Sequence, residues 1–155
     1  MMITRLAIGA LALGGAAVAE EAEIVRVNPT SLAAFLQSEG YRAKMIADDD
    51  GGPATIQTSS SGWDFYIDFV DCEGGACGRI SFFASFNMED SEGIDLAKVN
   101  EWNFSQWGQV SLDDENDPRI EFLFNTEGGT TRDALLDTIE LYAGQLGRFA
   151  EFIDF

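Results

Sequence analysis

The strongest constraint on the fold is a pair of alternating segments joined by a short glycine turn. Within residues 63–70 and 80–86, every second position is apolar: Phe65, Ile67 and Phe69 in the first, and Ile80, Phe82, Ala84 and Phe86 in the second. A period of two is typical of a strand that buries one face. Gly74 and Gly75 suit a hairpin turn. The two segments are therefore predicted to pair as an antiparallel hairpin.

Cap and turn residues predict the elements on either side of this hairpin. Asn28 and Pro29 open a first helix that Gly40 ends. Two strands are predicted at 41–47 and 54–59, and Asp95 is predicted to cap a second helix. The inner face of that helix is expected to carry Leu96 and Val99. A third hairpin is predicted from two further apolar series: Val110 and Leu112, then Ile120, Phe122 and Phe124.

The last helix has the clearest amphipathic period. Gly128 and Gly129 break the chain before it, Thr130 is the predicted N-cap, and Asp133 lies near the third helical position. Apolar residues recur at alternating spacings of four and three: Leu135, Ile139, Tyr142, Leu146, Phe149 and Ile153. One broad face of this helix is therefore predicted to be buried.

These elements predict an α+β fold in the order α-β-β-β-β-α-β-β-α. It consists of an antiparallel sheet of about six strands with helices packed on one face. The helices would cover the face of Phe65, Phe82 and Phe122. The opposite face would then carry Tyr66, Phe83 and Leu123, which are more apolar than a solvated sheet face requires. They predict either a partner surface or scattered surface apolar residues.

The charge balance and the absence of histidine restrict the function. The chain has 27 Asp and Glu residues against 9 Lys and Arg residues, a net charge of −18, and no His. Without His, the Ser-His-Asp and Cys-His mechanisms and His-ligated zinc sites are excluded. The acidity argues against binding nucleic acid or anionic membranes, which requires basic residues. No cofactor-binding motif is present.

Residues 1–19 have the pattern of a secretory signal peptide. Arg5 supplies the positive charge, residues 6–17 are apolar, and Ala17-Val18-Ala19 provides the small residues of a cleavage site. The alternative, a membrane anchor, is weaker because the apolar segment is well below the ~20 residues that span a bilayer. We therefore expect a periplasmic or secreted protein cleaved after Ala19, with no membrane anchor. A short segment, 20–28, would precede one domain at 29–155.

Export affects how the two cysteines are interpreted. Cys72 and Cys77 flank the predicted glycine turn, and a disulfide across a hairpin is favoured in an oxidising compartment. The alternative is a metal site that adds Asp71 or Glu73, but the second Cys or His pair of a structural zinc site is missing. A structural disulfide is the preferred interpretation.

Other candidate sites have ordinary structural explanations. Residues 48–50 and 113–117 are acidic runs that could ligate calcium, but neither has the EF-hand spacing and both suit turns. Trp102 and Trp107 could stack on a ligand, although aromatic residues at such a junction more often belong to the core. Paired carboxylates could act as in glycosidases, but with 27 acids some pair will be close by chance.

Several segments resemble the YbjN domain family. The most specific is Asn100-Glu101-Trp102-Asn103, supported by the segments 64–72 and 36–41. The family is described as sensory transduction regulators with a fold similar to type III secretion chaperones. The resemblance covers roughly residues 29–153 and implies no catalytic residues. This chain departs from the largely cytoplasmic family by its export signal and hairpin cysteines.

The combined prediction is a non-enzymatic, exported module that binds a protein or peptide, with a homodimer as one form of such binding. Two alternatives remain open at this point. One is a small acidic hydrolase that uses paired carboxylates, and the other is a calcium-dependent adhesion or signalling module.

Overall fold

The computed structural model describes residues 24–88 and 93–155. Within them, the helices are α1 (Pro29–Ser38), α2 (Leu96–Ser105) and α3 (Arg132–Ile153). The strands are β1 (Ile24–Val25), β2 (Ala43–Ile46), β3 (Thr55–Ser60), β4 (Trp63–Glu73), β5 (Ala76–Ser85), β6 (Gln109–Leu112), β7 (Pro118–Asn125) and β8 (Thr130–Thr131). The predicted signal peptide, 1–19, lies outside the described residues.

The main sheet has six strands in the spatial order β2-β3-β4-β5-β7-β6, and every neighbouring pair is antiparallel. The α+β class and the order of its elements are confirmed. The prediction omitted β1 and β8, which form a separate two-stranded sheet. Each contains only two residues, too few for an alternating pattern to be recognised.

The β4–β5 hairpin turns on two glycines. Gly74 and Gly75 have φ angles of 59° and 85°, the left-handed values that a two-residue type I′ turn requires. Glycine adopts them without the steric cost that a Cβ atom would add. The turn sets the hairpin register, which places Tyr66 opposite Phe83 and Ile67 opposite Phe82.

The helices pack on one face of this sheet and enclose the core. Phe65 and Phe82 each contact the ring of Tyr142 on α3, with centroid separations of 5.3 and 5.5 Å. The Tyr142 hydroxyl donates a 2.9 Å hydrogen bond to the Ile120 carbonyl, so α3 is bonded to the sheet at its centre. Burial raises the pKa of the Tyr142 phenol above its usual value near 10.

The inner stripe predicted for α3 is confirmed, because all six of its residues are buried. The predicted N-cap is wrong by one residue. Thr131 is the N-cap and accepts a hydrogen bond from the Ala134 N–H, whereas Thr130 pairs with Val25 in the small sheet. Strand pairing with a distant segment therefore decides where the helix begins.

The predicted caps of the other helices are confirmed, but one inner-face residue is wrong. Asn28 and Asp95 cap α1 and α2, each accepting a hydrogen bond from the backbone N–H three residues later. On α2, Val99 and Trp102 are buried, while Leu96 is 69% exposed. At about 100° per residue, Leu96 lies roughly a quarter-turn from the centre of the face that those two residues define.

Candidate functional site

Tyr66, Phe83 and Leu123 lie on the helix-free side of the main sheet, which we call the open face. Tyr66 and Phe83 are opposite each other on β4 and β5, and their rings stack with a centroid separation of 5.3 Å. Leu123 lies on β7 opposite Ser81 and is 47% exposed. The fold therefore brings the first two residues into contact and places the third on the next strand.

Arg119, which was not predicted from the sequence, completes this cluster. Its guanidinium carbon lies 3.7 Å from the centre of the Phe83 ring, a cation–π contact from the strand on the other side of β5. Arg119 also pairs with Glu121, which accepts a hydrogen bond from the buried Ser81 hydroxyl. The resulting network orients the arginine on the aromatic ring.

The central part of the open face is electrically neutral. Among the described residues, its basic side chains are Arg42, Lys44, Arg79 and Arg119, and its acidic ones are Asp64, Asp68 and Glu121, with Asp71 joined to the face through its ion pair with Arg79. The ion pairs are Arg42–Asp64 at 3.2 Å, Arg119–Glu121 at 3.8 Å, and Arg79–Asp71. The net charge of −18 is therefore carried by the rest of the chain. The open face therefore attracts or repels a charged partner less than the acidic remainder of the surface does.

The motif at 100–103 joins α2 to the sheet. The buried Trp102 donates its indole N–H to the Gly108 carbonyl at 3.1 Å. The Asn103 amide hydrogen-bonds both backbone groups of Val110. Its nitrogen donates to the Val110 carbonyl at 3.0 Å, and its oxygen accepts from the Val110 N–H at 2.8 Å. Asn100 is exposed. Trp102 and Asn103 thus have structural contacts, and the core interpretation of Trp102 holds.

The two cysteines form the predicted disulfide across the β4–β5 hairpin. Cys77 is 3% exposed and connects three segments of the chain. Its N–H donates to the Val27 carbonyl at 2.7 Å, and its carbonyl accepts from the Thr126 hydroxyl at 2.7 Å. An open cleft of about 590 Å³ lies beside it, where the Asp71 carboxylate is paired with Arg79.

The acidic turns use their carboxylates to bind their own backbone. Asp113 accepts hydrogen bonds from the N–H groups of Glu115 and Asp117, each at 2.9 Å, and Asp48 accepts one from Asp50 at 2.9 Å. No group of three or more candidate metal ligands occurs within 24–88 and 93–155. The geometry of both loops is that of Asx-type turns.

A family model matches the chain over residues 28–155, nearly all of the described part. The family is YbjN, whose description reads "Putative bacterial sensory transduction regulator". The chain belongs to the YbjN family. Comparison with curated proteins finds no match. As a YbjN protein, the chain belongs to a family described by regulation and not by an enzymatic reaction. Among the helices of the described residues, none has the length and apolar character needed to cross a membrane.

Proposed function

We propose that this YbjN protein is an exported, non-enzymatic module that binds an extended segment of another protein, or a peptide, on its open face. The observation that carries the proposal is the stacked pair Tyr66 and Phe83 with Arg119 against it. Aromatic and arginine side chains are the residue types most enriched at binding hot spots. The proposal requires no cofactor, nucleic acid or membrane anchor.

The neutrality of the open face supports this use of it. A partner that covers the face meets three ion pairs, Arg42–Asp64, Arg79–Asp71 and Arg119–Glu121, and does not have to neutralise the charge of the whole chain. A second copy could also bind there, because the open face is where repulsion between two strongly acidic chains is least. A homodimer is therefore included in the proposal.

We expect the substitution Phe83→Asp to weaken partner capture about tenfold or more, because it removes the central ring and adds a charge opposite Glu121. Immobilised wild type and variant would be exposed to the periplasmic extract of the source bacterium, and captured proteins quantified by mass spectrometry. Leu141→Asp is the matched control, since Leu141 is a 55% exposed apolar residue on α3. Equal capture by wild type and Phe83→Asp, with both folded, would contradict the proposal.

Export is tested separately, on the protein purified from its source without reduction. We expect the intact mass of a chain that begins at Glu20, since the predicted cleavage follows Ala19. We also expect recovery in the periplasmic or extracellular fraction. A chain that retains residues 1–19 and fractionates with the cytoplasm would refute this part of the proposal.

A further inference from the structure

The two outer strands of the main sheet, β2 and β6, are its edges. An edge strand presents a row of unpaired N–H and C=O groups, to which another extended chain can pair. Whether an edge is available depends on what already satisfies those groups. The two edges of this sheet differ in that respect.

The β6 edge is closed by a side chain. Val110, in the middle of this strand, has both its N–H and its C=O bonded to the Asn103 amide, at 2.8 and 3.0 Å. The amide therefore makes the same two hydrogen bonds that a neighbouring strand would make. Gly108, just before the strand, has its carbonyl taken by Trp102. An added strand would have to displace these side chains.

The β2 edge is open at the corresponding residue, Met45. In an antiparallel ladder, the N–H and C=O of one residue point to the same side, and alternate residues point to opposite sides. The N–H and C=O of Val110 point outward. The sheet register carries this orientation to Met45 through the following pairs: Val110–Ile120, Ile120–Ala84, Phe82–Ile67, Ile67–Ile56 and Ile56–Met45. The backbone groups of Met45 therefore also point outward.

A second contact agrees with this orientation. The Gln37 amide of α1 donates to the Ala43 carbonyl at 3.0 Å, and Ala43 has the same orientation as Met45. Within the described residues, the outward N–H and C=O of Met45 have no hydrogen-bond partner. One edge is thus occupied by an asparagine amide, whereas Met45 on the other has a donor and an acceptor with no partner in the part of the chain that the structure describes.

The side chains along β2 indicate the chemistry of an added strand. Met45 and Ile46 are 46% and 38% exposed, and lie on opposite faces of the strand. Lys44 lies on the open face beside Arg42, with a shallow cavity of about 250 Å³ between them and Asp64. Arg42 is paired with Asp64, whereas Lys44 has no ion pair among the described residues. An acidic side chain on the added strand would complete this arrangement.

We propose that β2 holds its partner by strand addition, and that the added segment belongs to another protein and carries an acidic residue opposite Lys44. The inference rests on the proposed function, because it states how the partner's extended segment is bound. A second copy is less suited to this edge. The β2 strand of a second copy, Ala-Lys-Met-Ile, has no acidic residue to place opposite Lys44, and two chains of net charge −18 repel each other.

The test uses amide chemical shifts of ¹⁵N-labelled protein, titrated to millimolar concentration with the capped peptide acetyl-Thr-Val-Glu-Val-Thr-amide. We expect the Met45 signal to shift and the Val110 signal to stay unchanged. The same peptide with Lys in place of Glu should bind about two- to fivefold more weakly, because like charges then face each other across the strands. An unchanged Met45 signal, or equal shifts at both edges, would overturn the inference.

Substitutions provide independent arms. Met45→Pro removes the outward N–H and should weaken peptide binding about tenfold. Because proline also distorts the strand, Gln37→Ala is a second test. It frees the Ala43 carbonyl and should strengthen peptide binding. Asn103→Ala should add a peptide-dependent shift at Val110, provided that the variant is folded. Absence of an effect from both Met45→Pro and Gln37→Ala would refute strand addition at β2.

Two further results separate the possible occupants and the two proposals. If the Met45 signal shifts with protein concentration alone, a second copy occupies the edge and the inference of a different partner is wrong. If the peptide shifts Met45 equally in wild type and in Phe83→Asp, while Phe83→Asp leaves partner capture unchanged, the edge inference stands and the open-face proposal fails.

Discussion

Trp102→Ala is expected to lower the free energy of unfolding by about 3–5 kcal/mol, the range for removing a large buried aromatic side chain. Trp102 is 2% exposed and contacts the rings of Phe149 and Phe152 at centroid separations of 4.8 and 5.4 Å. Alanine would leave a cavity between α2 and α3. It would also leave the Gly108 carbonyl without its donor. A loss of this size is a large fraction of the 5–15 kcal/mol typical of a domain.

The measurement is urea unfolding monitored by far-ultraviolet circular dichroism. Its signal comes from the backbone and does not depend on the tryptophan that is removed. Trp102→Phe is the informative companion variant. It keeps a ring in the core but loses the hydrogen bond to Gly108, and should cost about 1–2 kcal/mol. Trp107→Ala is a control, because Trp107 is 37% exposed and should cost less than Trp102→Ala. A loss below about 1 kcal/mol for Trp102→Ala would contradict the packing described above.

Removing the disulfide with Cys72→Ala and Cys77→Ala together is expected to lower the free energy of unfolding by about 2 kcal/mol. The two cysteines are five positions apart, so the closed loop is short and restricts the unfolded chain only modestly. The hydrogen bonds of Cys77 to Val27 and Thr126 use its backbone and should survive the substitution. The hairpin should therefore keep its place in the sheet.

Dithiothreitol on the wild type provides the control for this prediction. The reduced wild type and the double variant should lose similar stability relative to the oxidised protein, since each lacks the same covalent link. The intact mass of the unreduced protein should be two hydrogens below that of the dithiol. Two titratable thiols in the unreduced protein, or identical stability of oxidised and reduced forms, would count against the bridge.

The features predicted correctly are those encoded within a few residues of each other. The alternation of Phe65 and Ile67 depends only on the two-residue period of a strand, and the stripe from Leu135 to Ile153 depends only on the helical repeat. Asn28 and Asp95 cap their helices through backbone groups three residues away. Such local geometry holds wherever the element lies in the fold.

The errors arose where a distant segment decides the outcome. Thr130 has the side chain of an N-cap, but pairing with Val25 shifts that role to Thr131. Leu96 is apolar, but the contacts of Trp102 with Phe149 and Phe152 on α3 decide which side of α2 faces the core. Residue type alone does not contain that information.

The same division applies to the candidate site. The sequence by itself determined that Tyr66 and Phe83 share one face of the β4–β5 hairpin, because strand alternation and hairpin register follow from local pattern and turn chemistry. The pairing of β7 with β5, which brings Leu123 beside them, was decided by the tertiary structure. Only the tertiary structure decided that Arg119 lies against Phe83 and that Asn103 closes one sheet edge while Met45 leaves the other open. Those contacts depend on how separate elements are arranged in space, and packing of the whole chain decides that arrangement.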